Sequence, residues 1–253
     1  MVTLYMKSII ISGAASGIGA ATVKKLASKN IAFTLTTKTN EMGLIKVAEE
    51  ATSQGAKVKI LCGDISNKQF ISSLVTLARK ETGTIDQLVA NAGYADKKKF
   101  GEFNSNELNK SIETMASSFS EIINLCLDDF KKSKCGRIIT ISSFVNKNIG
   151  LNDNIFPITA AAKGALEALT KTLAFQLAKN NVTVNSISPG YTKKDGNHSA
   201  LTDKEWDNII NKIPLTRLAQ PEDIANLTAF LLSDQSSYIT GQIIKVDGGL
   251  SLR

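Results

Sequence analysis

Seven short apolar runs alternate with stretches of helical character along this chain, and no other feature constrains its fold as tightly. The runs are Ser8–Ser12, Ala32–Thr37, Lys57–Cys62, Asp86–Ala90, Gly136–Ser142, Val182–Ser188 and Gln242–Asp247. Between them, helices are expected over Gly17–Lys29, Glu41–Ser53, Lys68–Glu81, Ser105–Lys131 and Ile155–Lys179. Runs that are apolar on both faces and separated by helices imply a parallel sheet covered on both sides. The 253 residues suit one domain spanning 1–253, with no linker and no internal repeat. No stretch reaches the roughly 18 apolar residues of a membrane span. The first residues, MVTLYMKSIIIS, lack a basic leader region and run straight into a glycine loop, so they read as a strand. Met6 fits a natural start, and the five residues before it are expected to be dispensable to the fold.

Three long irregular zones follow strand ends: 92–104, 143–157 and 190–202. Open α/β sheets bind ligands beyond the carboxyl ends of their strands, so these zones are the candidate walls of a site. A net charge of +7 raises the question of an anionic partner. The lysines are scattered, however, with one tight run at Lys97–Lys99 and no nucleic-acid motif. A solvated surface is therefore the expectation, with neither nucleic acid nor membrane as partner. Cys62, Cys126 and Cys135 show no paired spacing, which fits a reducing cytoplasm. The single histidine, His198, lies in the polar stretch DGNHSA, so neither a zinc site nor a Ser-His-Asp triad is expected.

After the first strand comes SGAASGIG, with Gly13, Gly17 and Gly19. Glycine permits a tight turn and close approach of backbone to phosphate, and the following helix N-terminus favours negative charge. This glycine spacing resembles that of the short-chain dehydrogenase/reductase family. Further along, CGD at Cys62–Asp64, ANAG at Ala90–Gly93, GRIITISS at Gly136–Ser143, SPG at Ser188–Gly190 and the stretch Pro214–Gly249 resemble that family's segments in order. In look the chain is most similar to the 3-oxoacyl-carrier-protein reductases. The resemblance implies a Rossmann-type, doubly wound seven-stranded sheet in the order 3-2-1-4-5-6-7. It also implies a small-molecule carbonyl or hydroxyl substrate and a homodimer or homotetramer. Nicotinamide cofactor contacts are implied at Gly13, Ser16, Gly17, Ile18, Gly19, Thr37, Lys38, Asp64, Ile65, Asn91, Ala92, Gly93, Lys163, Pro189 and Gly190. NAD-preferring members end the second strand on a carboxylate for the ribose 2′-OH. Here that position is Thr37, followed by Lys38, which favours NADP over NAD.

The same resemblance exposes a defect. Members of the family reduce carbonyls with an asparagine, a serine, a tyrosine and a lysine. Ser143 and Lys163 stand at the serine and lysine positions, but Thr159 replaces the tyrosine proton donor and Met115 falls where the asparagine belongs. The Ser143–Thr159 segment is about three residues longer than usual, and Phe156 stands at the usual distance from the serine. A phenol ionises near pH 10 and an aliphatic alcohol roughly five units higher, so up to about 7 kcal/mol of acid catalysis is at stake. Reach differs too: a tyrosine oxygen lies roughly 6.5 Å from its Cα and a threonine oxygen about 2.4 Å. Thr159 therefore cannot inherit the role unaided. Tyr94 and Tyr191 lie on loops from which a phenol could enter, although pocket wall is their plainer reading. Two functions remain open: an NADP-dependent oxidoreductase with an altered proton donor, or an inactive nucleotide-binding partner of an active homologue in a mixed oligomer. The loop Gly190–Ala200 and a following helix striped with Trp206, Ile209, Ile210 and Ile213 form either a mobile lid or ordinary packing.

Overall fold

The computed structural model describes residues 5–150, 154–193 and 203–252. Its seven strands are β1 (Lys7–Ser12), β2 (Ile31–Thr37), β3 (Lys57–Cys62), β4 (Gln87–Ala90), β5 (Arg137–Ile141), β6 (Thr183–Pro189) and β7 (Ile243–Val246). They form one sheet in the order β3-β2-β1-β4-β5-β6-β7, and every neighbouring pair is parallel. The helices are α1 (Gly17–Leu26), α2 (Glu41–Ser53), α3 (Lys68–Thr82), α4 (Ser105–Ile112), α5 (Ser118–Lys132), α6 (Pro157–Leu177), α7 (Asp203–Ile210) and α8 (Pro221–Leu231).

Strand side chains alternate between two helical layers, as the period of two requires. Ile9 and Ile11 of β1 join Val23 of α1, Leu44 of α2 and Ile224 of α8 on one face. Ile10 joins Leu74 of α3, Phe119 of α5 and Leu166 of α6 on the other. Leu88 and Val89 of β4, and Ile138 and Ile139 of β5, divide in the same way. Both faces are covered, which is why the central strands contain so few charged residues.

Two expected elements differ in a way that matters. The helix expected as continuous over Ser105–Lys131 is broken by a π-turn at Glu113–Ser117 between α4 and α5. The wider turn inserts a residue and re-aims the side chains that follow it, and it leaves Met115 2% exposed. The first helix ends at Leu26 and not Lys29, because Ala27 leaves helical geometry with ψ 123°. The residues before Met6 also include one that takes part in the fold. The Tyr5 hydroxyl donates to Asp86 Oδ1 at 2.6 Å, beside Ser8 N on Oδ2 and Ser133 Oγ on Oδ1. That cluster ties the chain's start to the amino end of β4, far from the candidate walls.

Candidate active site

The carboxyl ends of β1, β4, β5 and β6 deliver the glycine loop, residues 91–93, Ser143 and the Pro189–Gly190 turn to one edge of the sheet. Gly13 (φ 65°) and Gly17 (φ 52°) occupy the left-handed region, where glycine is unstrained. A Cβ on Gly19 would fall 2.2 Å from Gly13 O, so the loop closes only with glycine there. At Gly17 a Cβ would meet no protein atom within 4 Å, which leaves room for a ligand over the loop. Ser16 caps α1 with extended backbone but without a side-chain hydrogen bond, and no acid sits in the first turn. The helix dipole is thus not offset by a carboxylate in the helix's own first turn.

Asn91 braces the loop from beneath. Its Nδ2 donates to Ser12 O (3.0 Å) and Gly13 O (2.9 Å), while the amides of Asn91 and Ala92 donate to Ser12 Oγ. Ile18 is half-buried against the core, and Ile65 is core at 6% exposure. Pro189 is buried, and Gly190 N donates to Val246 O at 2.9 Å. A Cβ on Gly190 would fall 2.8 Å from Asp247 Cα, so the end of β7 crowds this turn. At the far end, Thr37 O accepts from Gly63 N and closes β2 against β3. Lys38 is held there. Its Nζ lies 2.5 Å from Asp64 Oδ2, and Asp64 Oδ1 accepts from Ser66 N and Ser66 Oγ. The hydrogen bond from Lys38 pulls the Asp64 carboxyl down to about 2.

Lys163 lies on α6 with 5% of its surface exposed, and its Nζ donates to Ile141 O at 2.5 Å. Burial pushes its pKa down to about 8. A Cβ on Gly93 would stand 3.0 Å from that Nζ and 3.3 Å from Met115 Sδ, so Gly93, Lys163 and Met115 converge. Thr159 is one turn earlier on the same helix face and 2% exposed. Its Oγ1 accepts from Asp96 N at 2.9 Å, which clamps the loop after β4 onto α6. Ser143 Oγ accepts from Val145 N at 3.4 Å at the head of a short 3₁₀ turn. Ser142 Oγ, on the other side of the chain, donates to the buried Glu167 at 2.6 Å.

A third apolar cluster roofs this end. Phe144, Val145, Ile209, Ile213, Leu218 and Leu250 form it, with Phe156, Tyr191, Trp206 and Ile210 packed against it. The Tyr191 ring sits 4.6 Å from Phe144 and 6.3 Å, edge-on, from Trp206. The α7 stripe is therefore packed, although the helix ends at Ile210 and Ile213 joins the cluster from the turn beyond it, while residues 194–202 of the loop before it, including His198, lie outside the described residues.

A family model described as enoyl-(acyl carrier protein) reductase matches residues 13–251. The 3-oxoacyl-acyl-carrier-protein reductase of Salmonella typhimurium is 34% identical over 244 residues, covering 96% of this chain and 97% of that protein. This chain belongs to the short-chain dehydrogenase/reductase family. The 7alpha-hydroxysteroid dehydrogenase of Escherichia coli is 31% identical over 243 residues, 96% of this chain and 93% of that protein. Among solved structures, a Serratia marcescens short-chain dehydrogenase/reductase mutant superposes with TM-score 0.90 at 29% identity, covering 98% and 99% of the two chains. An NADPH-dependent reductase involved in bacilysin biosynthesis superposes with TM-score 0.88 at 27% identity, covering 97% and 98%.

The two positions that the sequence set apart, Thr159 and Met115, now have surroundings. Met115 brings a thioether beside Lys163, where it offers no useful proton relay. Thr159 turns an oxygen to a backbone amide of the loop. Tyr191 is a wall, and burial raises its pKa, which makes it a weaker acid. Tyr94 is 40% exposed. Sequence reasoning found the sheet-edge motifs but missed Asp96 and Ser12, whose contributions are a backbone amide and a loop-bracing hydroxyl.

Proposed function

We propose that this protein is an NADP-dependent oxidoreductase of carbonyl or hydroxyl substrates whose proton transfer is impaired. The observation that carries the reading is the contrast on α6. Lys163 keeps a buried position beside Gly93, whereas the Thr159 hydroxyl one turn away is engaged with Asp96 N. The residues fit the dinucleotide. The glycine loop and α1 N-terminus would take its pyrophosphate, Lys38 a 2′-phosphate, and Lys163 with Gly190 the nicotinamide side. When bound, the reduced nicotinamide supplies a hydride. This chain must supply the proton and the orientation.

Ser143 Oγ, whose hydrogen is not committed by its contact with Val145 N, would hold the substrate oxygen. Lys163 is the one ionisable side chain left at the four positions. It holds a proton at Nζ below about pH 8 and lies too deep to meet a substrate oxygen without an intervening group. Thr159 cannot bridge that distance with a phenol's acidity, and Met115 cannot pass protons inward. The apolar side chains of Phe144, Phe156 and Trp206 beside Ser143 and Tyr191 suit an uncharged substrate body.

A second reading, a non-catalytic nucleotide-binding subunit beside an active homologue, draws on the same loss of Thr159 and Met115 chemistry with the glycine loop retained. We take self-association to run through α5 and α6, where the large apolar side chains Leu125 and Phe175 are exposed. Calorimetric titration beside turnover on a carbonyl panel tests the proposal. NADPH should bind at least tenfold more tightly than NADH, and turnover should be slow. Absence of NADPH binding overturns the proposal.

A further inference from the structure

The nucleotide reading assigns Lys38 to the 2′-phosphate, yet Lys38 is not a lone cation. Its ammonium lies 2.5 Å from Asp64 Oδ2, on a pair whose side chains are 55% and 36% exposed. The carboxylate is the fixed member. Its second oxygen accepts from Ser66 N at 2.9 Å and Ser66 Oγ at 2.8 Å, and Asn67 N closes the turn onto Asp64 O. The backbone under Lys38 is pinned as well, because Cys62 Sγ donates to Lys38 O across the β2–β3 seam. Only the lysine stem is left to move. The local charge is therefore near neutral, and an arriving phosphate dianion meets a carboxylate along with the ammonium.

We propose that Asp64 is a specificity-determining residue that holds down the preference for a 2′-phosphorylated nucleotide by keeping Lys38 paired. The inference rests on the nucleotide reading above and deepens it. A ribose 2′-hydroxyl is neutral, so it neither draws Lys38 away nor is repelled by Asp64. A 2′-phosphate must compete with an existing charge-assisted hydrogen bond before it can form its own. Asp64 stays ionised throughout the physiological range, because the Lys38 contact lowers its pKa to about 2. The limit is thus independent of pH near neutrality and weakens as salt screens the pair.

The test is binding of NADPH and NADH, followed by calorimetry in wild type, Asp64→Asn and Lys38→Met. Asparagine keeps an oxygen for Ser66 and removes the charge. The ratio of NADPH to NADH affinity should rise at least fivefold in Asp64→Asn, and it should fall below the wild-type ratio in Lys38→Met. An unchanged or reduced ratio in Asp64→Asn, with wild type binding both nucleotides, overturns the inference and leaves the nucleotide reading standing. An Asp64→Asn protein that loses both nucleotides overturns it too, since Asp64 would then build the site and not discriminate within it. Wild type that binds neither nucleotide overturns the nucleotide reading itself, and the inference with it.

Discussion

At the scale of single residues, Thr159 is an anchor. Its Oγ1, on a buried side chain, is the acceptor for Asp96 N in a part-buried contact. Replacing it with the isosteric valine removes the acceptor and leaves the amide unpaired, at a cost of about 1–2 kcal/mol. Urea unfolding of Thr159→Val should show that loss and Thr159→Ser a smaller one; an unchanged midpoint would contradict the anchor. Lys163 makes the complementary prediction through pH. Its folded pKa of about 8 lies below the unfolded value near 10.4, so the unfolded chain binds more protons between those values. Stability should therefore be lowest below pH 8 and rise between about pH 8 and 10.4, by on the order of 3 kcal/mol. The difference between wild type and Lys163→Met, followed from pH 7 to 10, isolates this rise. A constant difference would show that the lysine is not held in a dry site. The identity of both positions was legible in the sequence as motif offsets. Their partners were not, because Asp96 N and Ile141 O are backbone atoms that any residue would supply.

At the scale of elements, the central strands were readable because a short run that is apolar on both faces fits little besides a strand buried between two helical layers, and the edge strand β3 by its alternation of Lys57 and Lys59 with Val58 and Ile60. All seven lie within a residue or two of expectation. The break between α4 and α5 was not readable. SIETMASSF carries no glycine or proline to mark a break, and the π-turn lies against α6 with Met115 and Ala116 buried, a tertiary contact that spacing does not show. The short helix α7 shows the opposite case. Its apolar stripe was visible, but whether it pressed on a pocket or on core could not be decided from spacing alone. Ile209 and Ile213 are each 2% exposed among Phe144, Leu218 and Leu250. Ile209→Ala should cost about 2–4 kcal/mol in a denaturation series, as a core truncation does. A cost below about 1 kcal/mol would mean that α7 rests loosely on the roof and opens readily.

At the scale of the molecule, the fold and the proposed loss of catalytic groups are separable. The sheet, both helical layers and the glycine loop are kept by burial and by backbone geometry, to which Thr159 and Met115 contribute as buried residues whatever their chemistry. Phe175, at 90% exposure on α6, leaves a full aromatic ring in water. Sedimentation at micromolar concentration should give a dimer or larger species, and Phe175→Glu should shift it toward monomer; a monodisperse wild-type monomer would contradict this. The central claim is that the nucleotide half works while the proton path does not. Its most direct test is the rate of NADPH oxidation at saturating nucleotide with a panel of 3-oxoacyl thioesters and small ketones. Wild type, Thr159→Tyr, Met115→Asn and the double variant are compared. The account predicts slow wild-type turnover, little gain from either single change, and a rate in the double variant well above the product of the single gains, because both groups serve one proton path. Wild-type turnover as fast as the double variant's would contradict it.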